Sequence, residues 1–117
     1  TEHENIKVGF DLMGQMLDAG WSVIVYPEGK MSESGELQPL KRGAGLAAVE
    51  MNVPVVPVNI KGTNSILPYA KIMPRRKGAV TVTFGKPFRI HRSDLPNNDQ
   101  EAYHVVTEKI QEALRNL

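Results

Sequence analysis

Two short β-branched runs, Ser22-Val23-Ile24-Val25-Tyr26 and Val53-Pro54-Val55-Val56-Pro57-Val58-Asn59-Ile60, each follow a segment with helical spacing. The first run, short and nearly all apolar, fits a strand covered on both faces. Ahead of the first run, Ile6, Phe10, Met13 and Leu17 fall on one face of a helix over 5–19. Asn5 is placed to cap it, and Gly20 suits the left-handed position just past its end. Pro27 stops the first run. A second helix is expected over 43–51, with Asn52 as its stop. The two prolines of the second run each remove a ladder donor, which calls for an edge position or a bulge. Ala79–Phe84 reads as a further strand, with Val80 and Val82 on one face and Gly85-Lys86-Pro87 ending it. The last helix is signalled by Asn98 with Glu101 three residues on, and by the stripe Tyr103, Val106, Ile110, Ala113 and Leu117. The order helix–strand–helix–strand–strand–helix is an α/β pattern.

At 117 residues the chain is one domain or part of one. It has no cysteine, which excludes a disulfide scaffold and any thiolate site. With 41% hydrophobic and 23% charged residues it is composed as a folded domain. No apolar run approaches the roughly 18–20 residues that span a bilayer. The start, Thr1-Glu2-His3-Glu4, has neither an initiator Met nor a signal-like core and reads as the interior of a longer protein.

The net charge of +1 hides an imbalance. No acidic residue lies between Glu50 and Asp94, while that interval holds Lys61, Lys71, Arg75, Arg76, Lys77, Lys86, Arg89 and Arg92. Anions are the implied partners: phosphate-bearing small molecules or a lipid headgroup surface. A solvated rim of loop and strand fits equally well. Nucleic acid is disfavoured, because no aromatic stacking pattern accompanies the charge.

The step Tyr26-Pro27-Glu28-Gly29-Lys30-Met31-Ser32 leaves the end of the first run, where sites sit in open α/β sheets. Glu28 there could orient a base or a hydroxyl, or accept a cation. Composition alone favours a turn with an exposed acid. Sixteen residues without evident structure, 27–42, make a long loop of the kind that is usually functional or disordered. Lys41-Arg42-Gly43 stands at the start of the second helix, and reads equally as a phosphate seat or as an ordinary charged helix start. Gly43-Ala44-Gly45-Leu46-Ala47-Ala48 matches a dinucleotide fingerprint, but no strand precedes it and no ribose-binding acid follows. Its small residues fit close packing of helix on sheet instead. His3, His91 and His104 give no pair at metal spacing.

Together these residues resemble the glycerophospholipid acyltransferase family, lysophosphatidic-acid type. Residues 26–32 look like its F-P-E-G-T-R-S block. Leu40-Lys41-Arg42-Gly43-Ala44 is similar to its F-K-x-G-A block, and residues 53–58 to its V-P-[IV]-[VI]-P-[VI] block. Gly62-Thr63 and Phe84-Gly85-Lys86-Pro87 follow in the expected order, so the likeness covers about residues 5–90. It is especially close to acyltransferase domains of bacterial proteins that also carry an acyl-activating ligase domain, which implies such a fused neighbour.

The resemblance implies a glycerolphosphate-acyltransferase-like mixed sheet flanked by helices, of which 1–117 would be the C-terminal portion. It implies transfer of a fatty acyl group from acyl-CoA or acyl carrier protein to a lysophospholipid or glycerol-phosphate hydroxyl, with no cofactor, in a cytoplasmic protein peripheral on or tethered to the inner membrane. The family's H-x-x-x-x-D base motif, in which histidine deprotonates the acceptor hydroxyl, is absent: Val8 follows His3 at that spacing and Pro96 follows His91. No catalytic residue is therefore expected here, and the isolated chain should be inactive. The matched positions Glu28, Gly29, Lys30, Ser32, Lys41, Gly43 and Pro57 would form the acceptor-binding half. Lys30 stands where the family has Thr, and Met31 where it has the Arg directed at phosphate. A lysine is not a planar bidentate donor, so acceptor affinity or identity would differ. The alternative reading is a non-catalytic module that binds anionic membrane through its basic stretch.

Overall fold

The computed structural model describes residues 2–74 and 78–117, and the side chains from residue 4 onward. Arg75, Arg76 and Lys77 of the cationic stretch, and the side chain of His3, lie outside the described residues. Helix α1 spans Glu2–Asp18. It begins three residues before Asn5, which is therefore an interior residue and not the cap. Its end matches the sequence: Gly20 sits at φ +87°. The N–H of Trp21 donates to the Met16 carbonyl and that of Gly20 to the Leu17 carbonyl, both at 3.0 Å. These paired bonds close a helix on a left-handed residue.

Ser22–Tyr26 departs from expectation. It runs without a ladder partner among the described residues, and Ile24 is 82% exposed. An apolar strand needs a neighbour on each side to satisfy its backbone. The described strands, β1 (Val58–Lys61) and β2 (Thr81–Phe84), pair only with each other, antiparallel, with Val58 opposite Phe84 and Lys61 opposite Thr81. The class is α/β, and the described sheet is this antiparallel pair; the mixed sheet expected from the resemblance includes no parallel pairing here. Both prolines of the second run stand before β1 instead of inside it. Val55 then bridges to Phe88, so Val56 and Pro57 face the three residues Gly85, Lys86 and Pro87. The prolines are thus accommodated by an extra residue in the opposing strand, and the Gly85 N–H closes onto the Pro57 carbonyl at 2.7 Å.

Helix α2 spans Arg42–Met51 and stops at Asn52, which is left-handed at φ 49°. The guanidinium of Arg89 donates to the Asn52 carbonyl at 3.3 Å, satisfying one of the helix's last acceptors. After β1, the one-turn helix α3 covers Thr63–Ile66. Helix α4 spans Asp99–Arg115, and the Asn98 side chain accepts from the Glu101 N–H at 3.1 Å as the sequence predicts.

The core lies between α2 and α4. Ala48, Ile90, Val106 and Ile110 are buried together, and Leu40, Val55, Phe88 and Leu114 pack against them. The small residues of α2 serve helix-on-helix packing, not helix-on-sheet. A Cβ on Gly45 would run into the Tyr103 carbonyl and the Thr107 hydroxyl of α4. That hydroxyl is itself turned back onto the Tyr103 carbonyl at 2.7 Å. Lys109 Nζ lies 5.2 Å from the centre of the Phe88 ring and caps the core's edge.

The molecule is extended, 49 × 34 × 27 Å, with a radius of gyration of 15.8 Å, where a compact domain of this length has roughly 13 Å. It exposes 9028 Å², against roughly 6300 Å² for a compact monomer of its mass. Much of the excess is apolar, on α1, on Trp21–Tyr26 and on the β1–β2 pair.

Candidate acceptor-binding site

Pro27 and Glu28 turn the chain sharply: the Gly29 N–H closes on the Tyr26 carbonyl at 3.1 Å, with Gly29 at φ +68°. Only glycine takes that conformation without strain. The returning end of the loop is tied to this turn, because the Lys41 N–H donates to the Pro27 carbonyl at 2.9 Å. Lys41 is also the N-cap of α2, in extended conformation and with no side-chain cap bond. Its own side chain lies across Gly29. A Cβ there would fall 2.9 Å from Lys41 Cδ and Cε, and 3.4 Å from Nζ. The bare face of Gly29 is what lets the lysine lie down, which brings its ammonium beside the start of α2.

Gly43, one residue into the helix, has open space where a Cβ would stand. The first turn of α2 contains no acidic residue. A cation, uncapped helical N–H groups and a bare glycine therefore converge, an arrangement that accepts an anion. Beside it is a cleft of about 210 Å³ lined by Phe10 and Met13 of α1, Val25, Tyr26, Pro27, Gly29, Lys41, Gly43, Ala44 and Ala47. Three of the seven sequence-derived positions, Gly29, Lys41 and Gly43, line it.

The other four are placed differently. The Glu28 carboxylate accepts from the Gln38 N–H at 2.7 Å and braces the two ends of the long loop. Ser32 donates to the Glu36 carbonyl at 2.7 Å, and Gln38 bonds to Ser34 and to the Glu36 carbonyl, so the loop is ordered by its own polar groups. Lys30 is exposed, without an ion pair among the described residues. Pro57 is buried at the bulge with its carbonyl on Gly85, outside the cleft lining. Gln38 carries no signal in the sequence, while Phe10 and Met13, legible there as one face of a helix, line the cleft. A helix stripe reads as core whether it faces a core or a cleft.

A second, larger cavity of about 620 Å³ lies at the other end of α2, lined by Glu50, Asn52, His91, Arg92 and Asp99 among others. Arg92 bonds to Asp99 and stands 3.9 Å from Glu50, and the Tyr103 hydroxyl donates to Glu50 at 2.7 Å. The bond to Asp99 raises the Arg92 pKa, and donation to Glu50 raises that of Tyr103. These groups lash α2, α4 and the 3₁₀ turn Arg92–Asp94 together at the surface. No His/Asp/Glu cluster that could hold a metal occurs among the described residues.

A protein-family model described as Acyltransferase matches residues 2–61, which takes in α1, the Pro-Glu-Gly turn, Lys41, α2 and β1. The chain belongs to the acyltransferase family. The acyltransferase chain is 37% identical over 81 residues to the chloroplastic 1-acyl-sn-glycerol-3-phosphate acyltransferase of Brassica napus, covering 69% of this chain and 24% of that protein. It is 34% identical over 85 residues to the corresponding chloroplastic enzyme of Arabidopsis thaliana, covering 73% of this chain and 24% of that one. The crystal structure of the 1-acyl-sn-glycerophosphate acyltransferase PlsC from Thermotoga maritima superposes on 92% of this chain and 43% of its own, with a TM-score of 0.67 and 26% identity. The chain therefore spans about a quarter of the length of the curated relatives it matches.

Proposed function

We propose that the acyltransferase chain forms the acceptor-binding half of a domain that moves a fatty acyl group from acyl-CoA or acyl carrier protein to the hydroxyl of a lysophospholipid or glycerol phosphate. The observation that carries this is the Lys41 stem laid across Gly29. It sets an ammonium beside the open start of α2, next to a cleft with an apolar wall. A phosphate would sit on the cation and the helical N–H groups, while an acyl or glyceryl portion would lie against Phe10 and Met13. The relatives, named as 1-acyl-sn-glycerol-3-phosphate acyltransferases, take a substrate that has both parts. Glu28 and Ser32 hold the loop in shape, and Lys30 stands exposed at its rim, without an ion pair among the described residues. The base that would activate the acceptor hydroxyl is assigned to a part of the domain beyond this chain.

Two measurements test the reading. Titrating the chain with glycerol 3-phosphate should show binding that Lys41→Gln weakens about tenfold, the loss of one charge-assisted contact. Equal affinity of the two proteins would refute the seat. Incubation of the chain with acyl-CoA and lysophosphatidic acid should give no product; clear turnover would refute the placing of the base elsewhere.

A further inference from the structure

The long loop between Tyr26 and α2 has a second left-handed glycine, Gly35, at φ +80°. As at Gly29, a side chain lies across its bare face. A Cβ on Gly35 would fall 2.8 Å from the Asn64 Nδ2 and 3.1 Å from its Cβ and Cγ. Asn64 is half-buried in the one-turn helix α3. That helix is fixed at both ends. A Cβ on Gly62, its N-cap, would collide with the Ala79 carbonyl, and one on Gly78 would meet the Ile66 side chain at 2.5 Å. The loop is tied at its root by the Lys41–Pro27 bond and across its waist by the Gln38–Glu28 bond. Its tip is folded on itself through Ser32, Ser34 and Glu36, and this tip rests on α3 at Asn64. The contact is one of shape: a side chain fills the space that a Cβ would need.

Between Glu28 and Gln38 the loop carries two carboxylates, Glu33 and Glu36, both exposed and in no ion pair among the described residues. A tip hung from the two ties alone could swing either acid to the Lys41 ammonium. That cation and the open N–H groups of α2 attract a carboxylate by the same physics that attracts a phosphate. We infer that Asn64 is a positioning residue for the acceptor site: it parks the loop tip on α3 and so keeps the loop's own acids off the seat. The inference rests on the phosphate seat proposed above. Asn64 acts on it at a distance, through Gly35, since it is not part of the cleft lining. It also lies beyond residues 2–61, the segment matched by the family model.

Hydrogen exchange and titration with glycerol 3-phosphate test this together on the whole chain. Asn64→Ala should speed amide exchange over residues 33–37 about fivefold. Asn64→Leu, which keeps the shape of the side chain, should leave it slow. Asn64→Ala should also weaken glycerol 3-phosphate binding about threefold, the scale of one exposed ion pair, with the thermal midpoint unchanged. A role in stability alone would move the midpoint and spare the affinity. In the Asn64→Ala background, Glu33→Gln with Glu36→Gln should restore the wild-type affinity. In the wild-type background the same pair should change affinity by less than about twofold, because the acids are already parked away. Exchange indifferent to Asn64→Ala, or affinity that removal of the two acids does not restore, would overturn the inference. Failure of the wild-type chain to bind glycerol 3-phosphate would instead strike the seat itself, and the exchange measurement then decides whether Asn64 holds the tip.

Discussion

Gly45 is tightly hemmed in by its neighbours. It stands where α2 meets α4, against the Tyr103 carbonyl and the Thr107 hydroxyl. A methyl group there must separate two helices whose contact is most of the core. Gly45→Ala should cost about 3 kcal/mol by overpacking, measured by urea denaturation. Gly43→Ala, with open space around it, should leave stability nearly unchanged. Gly29 fails differently. Its left-handed φ makes Gly29→Ala cost about 1 kcal/mol, and the added methyl displaces the Lys41 side chain. Glycerol 3-phosphate affinity should then fall along with stability. Tyr103 gives a signature in pH. Donation to Glu50 raises its pKa above the ordinary 10.0. Its contribution is therefore fully present below pH 10.0, and is lost at more alkaline pH as the folded-state tyrosine itself ionises. The stability gap between wild type and Tyr103→Phe should be constant to about pH 9 and shrink above 10. Denaturation midpoints across that range would check it.

At the scale of elements, α4 was the most legible in the sequence, because cap, box and stripe all agree. Asn98→Ala should remove about 1 kcal/mol by opening the Glu101 N–H, read from the thermal midpoint. The Gly20 stop and the Asn52 stop were equally clear, since left-handed ends have few suitable residues. The start of α1 was not, because a good capping residue such as Asn5 is also tolerated inside a helix. Ser22–Tyr26 had the composition of a buried strand and was read as one. A strand is completed by partners, and no local pattern states whether the partners are present. The same limit hid the role of Gly45: small residues announce close approach but not whether a sheet or a helix approaches. For the site, Lys41 and Gly29 were legible as loop and helix-start chemistry. That the lysine crosses the glycine was not, because the twelve-residue separation is closed by the Lys41–Pro27 backbone bond.

For the whole molecule, surface is the telling quantity. The excess over a compact monomer is about 2700 Å² by the size scaling, and much of it is apolar, on α1, on Trp21–Tyr26 and on the β1–β2 pair. A piece supplying partners to Ser22–Tyr26 would bury Ile24 and Tyr26. Coexpression with the preceding segment of a matched relative should raise the thermal midpoint and protect the amides of residues 22–26 from hydrogen exchange. Unchanged exchange there would mean that the run is solvated by design.

The extra residue opposite Pro57 has an effect out of proportion to its size. In an unbroken strand Phe84 and Phe88 would share a face. Here Phe84 is 71% exposed while Phe88 packs beside Val55 in the core. The stretch Gly85-Lys86-Pro87 thus works as a half-twist in a ribbon, sending one aromatic ring out and the next in. Deletion of Lys86 would remove the extra residue and leave the two rings an odd three residues apart, so a regular ladder would still send one out and the other into the α2–α4 interior. An inserted or deleted residue in Val56-Pro57 on the facing strand would instead break that match.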